Sequence, residues 1–270
     1  MPRRADPGDA TDSEHDDEDD DRPTLPVTAD TDTTTAPSLA SPPAGAHAIT
    51  LHCGTTLWLL PQRAVWWPAA RMAFVADVHF GKAATFRRAG QPVPHGTTAD
   101  NLARLDTVLA VTGAEHLVFL GDFLHARSGA DERLWQQLLP WRQHHAHIAM
   151  TLVRGNHDLH AGDPPRALGI DLADEPWQPM TGAPVAACHH PQTVEGATVL
   201  AGHLHPTTTL YGPARDAMRL PCYALTPGLL VLPAFGAFTG TSSQSVPPMA
   251  RRFAVVGDRV LAVPARTDSG

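Results

Sequence analysis

The chain has 270 residues, with 28 acidic and 20 basic side chains, 16 histidines and a formal net charge of −8. That length builds one large domain or two small ones around a substantial core. The first 46 residues hold 12 of the acidic and 3 of the basic side chains, so the remaining 224 stand at +1, which excludes a strongly basic nucleic-acid binder on average.

Cys53, Cys188 and Cys222 are odd in number and unrelated in spacing, which argues against a disulfide framework and for a reducing, cytoplasmic setting. No apolar stretch follows the arginines near the start, so no signal peptide is expected. The longest apolar run, Leu229 to Phe238, is broken by Pro233 and Gly236 and is too short to span a bilayer. No membrane partner is expected.

Residues 1–46 are rich in Asp, Thr, Pro, Ala and Ser, and carry the acidic run Asp16 to Asp21. Without apolar periodicity they cannot repay the entropy of ordering, so a disordered acidic tail is expected, as a solubilising leader rather than a partner-binding arm. Ile49 to Cys53 and Thr56 to Leu60 flank Gly54 like a hairpin. Met72 to Ala76 is a short continuous apolar run, the pattern of a strand buried on both faces, and it ends at Asp77-Val78-His79. In an extended segment those two side chains would point the same way. Lys82, Arg87 and Arg88 follow as a local basic cluster.

Thr97 to Val111 reads as a helix, with a capping-box-like start at Thr97 and Asp100, a stripe of Leu102, Leu105, Val108 and Leu109, and Gly113 as the stop. Leu117 to Leu120 is a second buried strand, ending in Gly121-Asp122. A helix from about Asp131 to His145 is kinked or divided by Pro140. Ile148 to Val153 is a third strand, running into Gly155-Asn156-His157-Asp158. After a loop-like stretch rich in Pro and Gly, Val185 to Ala187 leads into Cys188-His189-His190-Pro191, and Thr198 to Ala201 into Gly202-His203-Leu204-His205. Leu220 to Leu225, Leu229 to Leu232, Phe253 to Val256 and Val260 to Val263 are further strands. Strands alternating with helices and then mostly strands suggest an α/β or α+β sandwich of two sheets with flanking helices.

Five apolar runs thus end in polar motifs, and strand ends on one side of an α/β sheet border a common crevice. Carboxylates, a carboxamide and imidazoles without thiolate suit Mn, Fe, Zn or Ni. The ligands are too many for one ion and about enough for two. Two ions about 3.5–4 Å apart stabilise both the attacking and the leaving oxygen of a phosphoryl displacement, and lower the pKa of a bound water toward about 7, giving a hydroxide nucleophile.

The five motifs in this order resemble the calcineurin-like metallophosphoesterase superfamily. The resemblance implies a four-layer αββα sandwich over 47–270 and two divalent ions, most often Mn2+. Asp77, His79 and His205 would hold one ion; Asn156, His189 and His203 would hold the other, with Asp122 bridging. His157 would protonate the leaving oxygen, and Asp158 would orient it. His189 is preferred to His190 because the family's ligand usually precedes the variable residue before Pro. The phrases Ala76 to Gly90, Leu120 to His125, Gly202 to Pro206 and Leu232 to Gly240 are similar to a narrower family, the ligase-associated DNA-damage-response endonucleases (PdeM). That likeness implies a DNA-repair role, a phosphodiester substrate, and a DNA ligase and a helicase as associates.

Plainer readings stand beside these. His144, His145 and His147 suit the end of a helix better than a metal. Lys82, Arg87 and Arg88 bind a phosphate backbone or form a solvated face, and His125 lines the site. Leu232 to Phe238 reads as a core strand rather than a base-stacking platform. A small-molecule phosphatase or nucleotide hydrolase, and a non-catalytic scaffold for repair partners, are the alternatives to a nuclease.

Overall fold

A hairpin of β1 (His47–Thr50) and β2 (Thr56–Leu59) opens a seven-stranded sheet that continues through β3 (Val65–Trp67), β4 (Met72–Ala76), β5 (His116–Leu120), β6 (Ala149–Val153) and β7 (Asp171–Ala173) in that spatial order. From β4 onward the neighbours are parallel. The second sheet is built from β8 (Val185–Cys188), β9 (Thr198–Ala201), β10 (Thr207–Tyr211), β11 (Ala217–Thr226), β12 (Leu229–Val231), β13 (Arg251–Val256) and β14 (Arg259–Val263). Its order is β14-β13-β11-β12-β9-β8, with β10 paired to β11, and β8, β9 and β12 are mutually parallel. The helices are α1 (Lys82–Arg88), α2 (Thr97–Thr112), α3 (Glu132–His144) and α4 (Asn156–Ala161). This computed structural model describes residues 42–93, 96–212, 216–236, 246–247 and 249–264, all within the unit Leu39–Gly270. The acidic run and Phe238 lie outside the described residues.

Period-two alternation divides the buried apolar side chains of the central strands between two cores. Ala73, Val75, Leu117, Phe119, Met150 and Leu152 face α2 and α3, meeting Leu102, Leu105, Val108, Leu134 and Leu138. Phe74, Ala76, Val118, Leu120 and Val153 face the other way, against Val185, Ala187, Leu200, Tyr223, Leu230 and Phe253 of the second sheet. The two-sheet α/β sandwich with flanking helices is therefore as the sequence led one to expect. The outer face of the second sheet carries small buried clusters, Ala186 with Cys188, Val199 and Ala201, and Ala224 with Val231 and Leu204.

Tyr223 joins the layers. Its fully buried hydroxyl lies 2.7 Å from the carbonyl of Leu60 and 2.9 Å from that of Ala64, in the turn between β2 and β3. Tyr223→Phe leaves those carbonyls without that donor, so thermal or urea unfolding should register a loss of about 1–3 kcal/mol.

Several local expectations are corrected. Thr97 does not cap α2. The cap is Gly96 at φ 87, with no side-chain bond, and Thr97 is the first helical residue. Pro140 lies inside α3 without dividing it, because Leu134 and Leu138 are held in the core. The buried residues from Leu232 to Phe235 do not continue the strand: β12 ends at Val231, and the amides of Phe235 and Gly236 donate to the carbonyls of Ala76 and Asp77. Phe235 is core, as expected, but in an irregular segment wrapped on the end of β4. The Pro- and Gly-rich stretch after Asp158 holds β7, and β3 and β10 form where no local pattern predicts a strand.

Candidate metal centre

The polar motifs all sit where parallel strands stop. Asp77, Asp122 and Asn156 follow β4, β5 and β6 of the first sheet; His189 and His203 follow β8 and β9 of the second. The crevice is therefore shared by two facing sheets rather than bordered by one.

The backbone at these ends is not extended. Asp77, His79, Asp122, His203 and His205 all have positive φ, between 44 and 68°. Such backbone costs a non-glycine residue about 1–2 kcal/mol and clusters at functional sites. Asp77 and His79 do converge, but through two left-handed turns and not through the pleat. The loops are knit together: His79 N–H donates to Asp122 O at 2.8 Å and Phe80 N–H to Phe123 O at 2.8 Å. Gly155 Cα approaches so closely that an added Cβ would stand 2.5 Å from Asp122 Oδ1.

Asp122, 2 % exposed, holds the middle. Its Oδ2 faces His79 Nε2 at 3.6 Å and His157 Nε2 at 3.9 Å. Its Oδ1 lies 3.5 Å from His189 Nε2 and accepts the His157 amide at 3.0 Å. One oxygen thus serves each side. On the first side, Asp77 Oδ1 stands 3.4 Å from His205 Nε2, and Asp77, His79 and His205 can share one ion. On the second side, His189 Nε2 is 2.9 Å from Asn156 Oδ1 and 3.2 Å from His203 Nδ1.

Do these donors fit a cation? Ligand atoms held about 2.0–2.2 Å from one ion lie roughly 3.0–3.5 Å apart, and the separations above are of that size. Neither ring nitrogen of buried His79 is well satisfied otherwise: Nδ1 has no hydrogen-bond partner, and 3.6 Å is too long for Nε2. Burial holds His79, His189 and His203 below the ordinary imidazole range, so their lone pairs are available. His189 Nδ1 lies 3.1 Å from Leu120 O, which, with Nδ1 protonated, turns the Nε2 lone pair toward the centre. Burial, and next the Asp77 charge, push Asp122 up to about 6. Two buried carboxylates facing each other are a site for positive charge.

The sequence profile of the calcineurin-like phosphoesterase family matches residues 70–216. This chain belongs to that family. A crystal structure of Pseudomonas putida nuclease MPE is 40% identical, with a TM-score of 0.68, and the match covers 81% of this chain and all of that one (100%). The Escherichia coli phosphoesterase Yfce is 14% identical over 72% of this chain and 99% of its own, at a TM-score of 0.36, too low to carry an argument. No curated protein matches. The chain is a metal-dependent phosphoesterase of the family, whose members use a dinuclear metal centre, and its Asp and His clusters are suited to hold one.

The other expected residues fall in different places. His157 leans over Asp122 with its side chain 38 % exposed, and its Nδ1 lies 2.9 Å from the carbonyl of His125. That carbonyl, not Asp158, orients the ring. Asp158 is buried and accepts from the amides of Gly155 at 3.0 Å and Leu124 at 3.1 Å, so it ties two loops together. His125 stacks on His157 with centroids 5.1 Å apart, and burial pushes it down to about 4. Burial lowers Lys82, while the charges of Asp122 and Asp77 pull it upward. Arg88 is committed to an ion pair with Asp131 at 2.8 Å. With Arg87 it lines a cleft of about 760 Å³ beside Gly81, Thr97 and Thr98. His145 pairs with Asp106 at 2.8 Å, and among the described residues His144, His145 and His147 form no metal-ligating group.

Glu175 had no weight in the sequence, standing inside a Pro- and Gly-rich stretch. Its Oε2 accepts the amides of His189 at 2.7 Å and His190 at 2.8 Å, and its Oε1 lies 2.6 Å from His190 Nδ1. No local pattern marks it, because its partners lie 14 and 15 residues away.

Proposed function

We propose that this protein is a two-metal phosphodiesterase that cleaves DNA, acting in repair in the cytoplasm with Mn2+ and alongside a DNA ligase and a helicase. The observation that carries the reading is the chain of contacts that gathers two ligand sets on either side of Asp122: its Oδ2 faces His79, in a group with Asp77 and His205, and its Oδ1 faces His189, which touches Asn156 and His203, in a chain 40% identical to a nuclease across that nuclease's whole length. Two divalent ions held there would supply an activated water and neutralise the phosphate. Asp77, His79 and His205 would hold the first ion, Asn156, His189 and His203 the second, and Asp122 would serve both. His157, half-buried at the rim and fixed through Nδ1 by the His125 carbonyl, presents Nε2 to the departing oxygen and gives it a proton. Lys82 adds a positive charge felt by Asp122 and Asp77, and Arg87 lies along the neighbouring cleft where a strand's phosphates would run. No helix among the described residues is long and apolar enough to cross a membrane.

The test is hydrolysis of single-stranded DNA and of bis-p-nitrophenyl phosphate by metal-stripped protein reloaded with Mn2+. Both should be cleaved only after reloading. Cleavage of the small ester alone would favour a nucleotide hydrolase, and no turnover with any metal would favour a binding protein. His157→Ala should lower DNA cleavage by about 10²–10⁴, the usual weight of a general acid. It should lower cleavage of the nitrophenyl ester far less, because nitrophenolate leaves without a proton. Equal losses on both substrates would remove the acid role.

A further inference from the structure

The second metal position draws its ligands from both sheets, and one short segment touches both sources. Residues 173–175 leave β7 beside the Asn156 motif, where Arg154 N–H donates to Ala173 O at 3.0 Å and the Arg154 guanidinium bonds Asp174 Oδ1 at 3.0 Å. The same guanidinium grips Asp163 through two bonds of 2.8 and 3.1 Å. Glu175, next in the chain, crosses to the other sheet and binds the amides of His189 and His190 and the imidazole of His190. Burial alone would raise the Glu175 carboxyl, but its bonds to His190 and His189 outweigh this and hold it below the ordinary glutamate range. The half-exposed His190 ring, fixed by that carboxylate, packs 4.7 Å from the ring of His189 and 4.6 Å from that of His203, so two of the three second-position ligands rest on it. Among the described residues, no hydrogen bond or ion pair of Asp77 or His79 reaches this segment.

We propose that Glu175 is a positioning residue for the second metal position alone: it registers His189 and His203 of one sheet against Asn156 of the other. The inference rests on the two-metal assignment above. An acceptor that fixes a backbone turn and an imidazole acts on a ligand as an outer partner does, and removing such a partner costs about 10–100-fold in metal affinity.

Mn2+ binding to the metal-stripped full chain, by calorimetric titration and by metal analysis after gel filtration, tests it. The wild type should take up two ions. Glu175→Ala should keep the first within about twofold and lose the second by about 10–100-fold. Glu175→Gln keeps one carbonyl oxygen for the two amides but loses the charge and the acceptor for His190 Nδ1, so it should fall between. It also serves if the alanine variant does not fold. Two ions bound at wild-type affinity in these variants would overturn the proposal. So would equal weakening of both positions, which is what general loosening of the fold produces. A wild type that cannot take up two ions would instead overturn the two-metal assignment itself.

Discussion

Asp122→Asn should reduce phosphodiester turnover by a factor on the order of 10³ or more while making the metal-free protein more stable. Removing one preorganised charge from a water-excluded site costs about 10²–10³, and this carboxylate is asked to serve two ions rather than one. Its Oδ1 and Oδ2 face His189 and His79 respectively, so the change weakens both positions together. Stability moves the other way. Asp77 and Asp122 are both buried, and their oxygens and a nitrogen of His189 lie within 4.8 Å of one another. Without a cation, the two charges repel in a low dielectric.

The sign of the pH dependence follows. Burial and then Asp77 push Asp122 up to about 6, so the folded metal-free protein holds a proton that the unfolded chain has released. Its stability should fall as pH rises from the ordinary aspartate range through about 6, and Asp122→Asn should flatten that fall. Saturating Mn2+ should restore wild-type stability at neutral pH and do much less for the variant. Melting curves at pH 5 and pH 8, with and without metal, decide it. A variant that melts below metal-free wild type at pH 8 would contradict the account.

Gly121→Ala should be as damaging, by geometry instead of charge. Gly121 has φ 73, which an L side chain adopts only with strain, and an added Cβ would stand 2.3 Å from His189 Nδ1 and 2.5 Å from its Cγ. The backbone strain alone is about 1–2 kcal/mol. The clash has no cheap escape, because His189 is fully buried and is held by Leu120 O and by Glu175 through its amide. The imidazole must leave its place. Activity should fall at least as far as in Asp122→Asn, with the second ion lost. Gly113→Ala is the control: it too has a positive φ, 60°, but nothing lies within 4 Å of its added Cβ. It should cost stability without touching metal stoichiometry. Equal activity loss in the two variants would show that strain, and not the His189 contact, is what matters.

Much of this site was legible in order along the chain. An apolar run that stops at Asp77, Asp122, Asn156, His189 or His203 is a local pattern, and β4, β5, β6, β8 and β9 end at those residues. Their alternation also determined which side chains make each core, because the pleat is a property of the strand itself. Where composition misled, the reason was also local. Pro and Gly between Asp158 and Val185 resemble a loop, yet β7 pairs there with β6, since its partner lies elsewhere in the chain.

The sequence by itself determined the chemical inventory and its order: carboxylates, carboxamide and imidazoles on strand ends, and so the family. Only the tertiary structure decided that the ligands are divided between two facing sheets, that the oxygens of Asp122 part toward two sets, that Asp158 ties loops while His125 orients His157, and that Glu175 holds His189. Coordination and hydrogen bonding act through space over about 2–4 Å. The residues they join here are separated by 14 to 67 positions, and no local periodicity records which of them will meet.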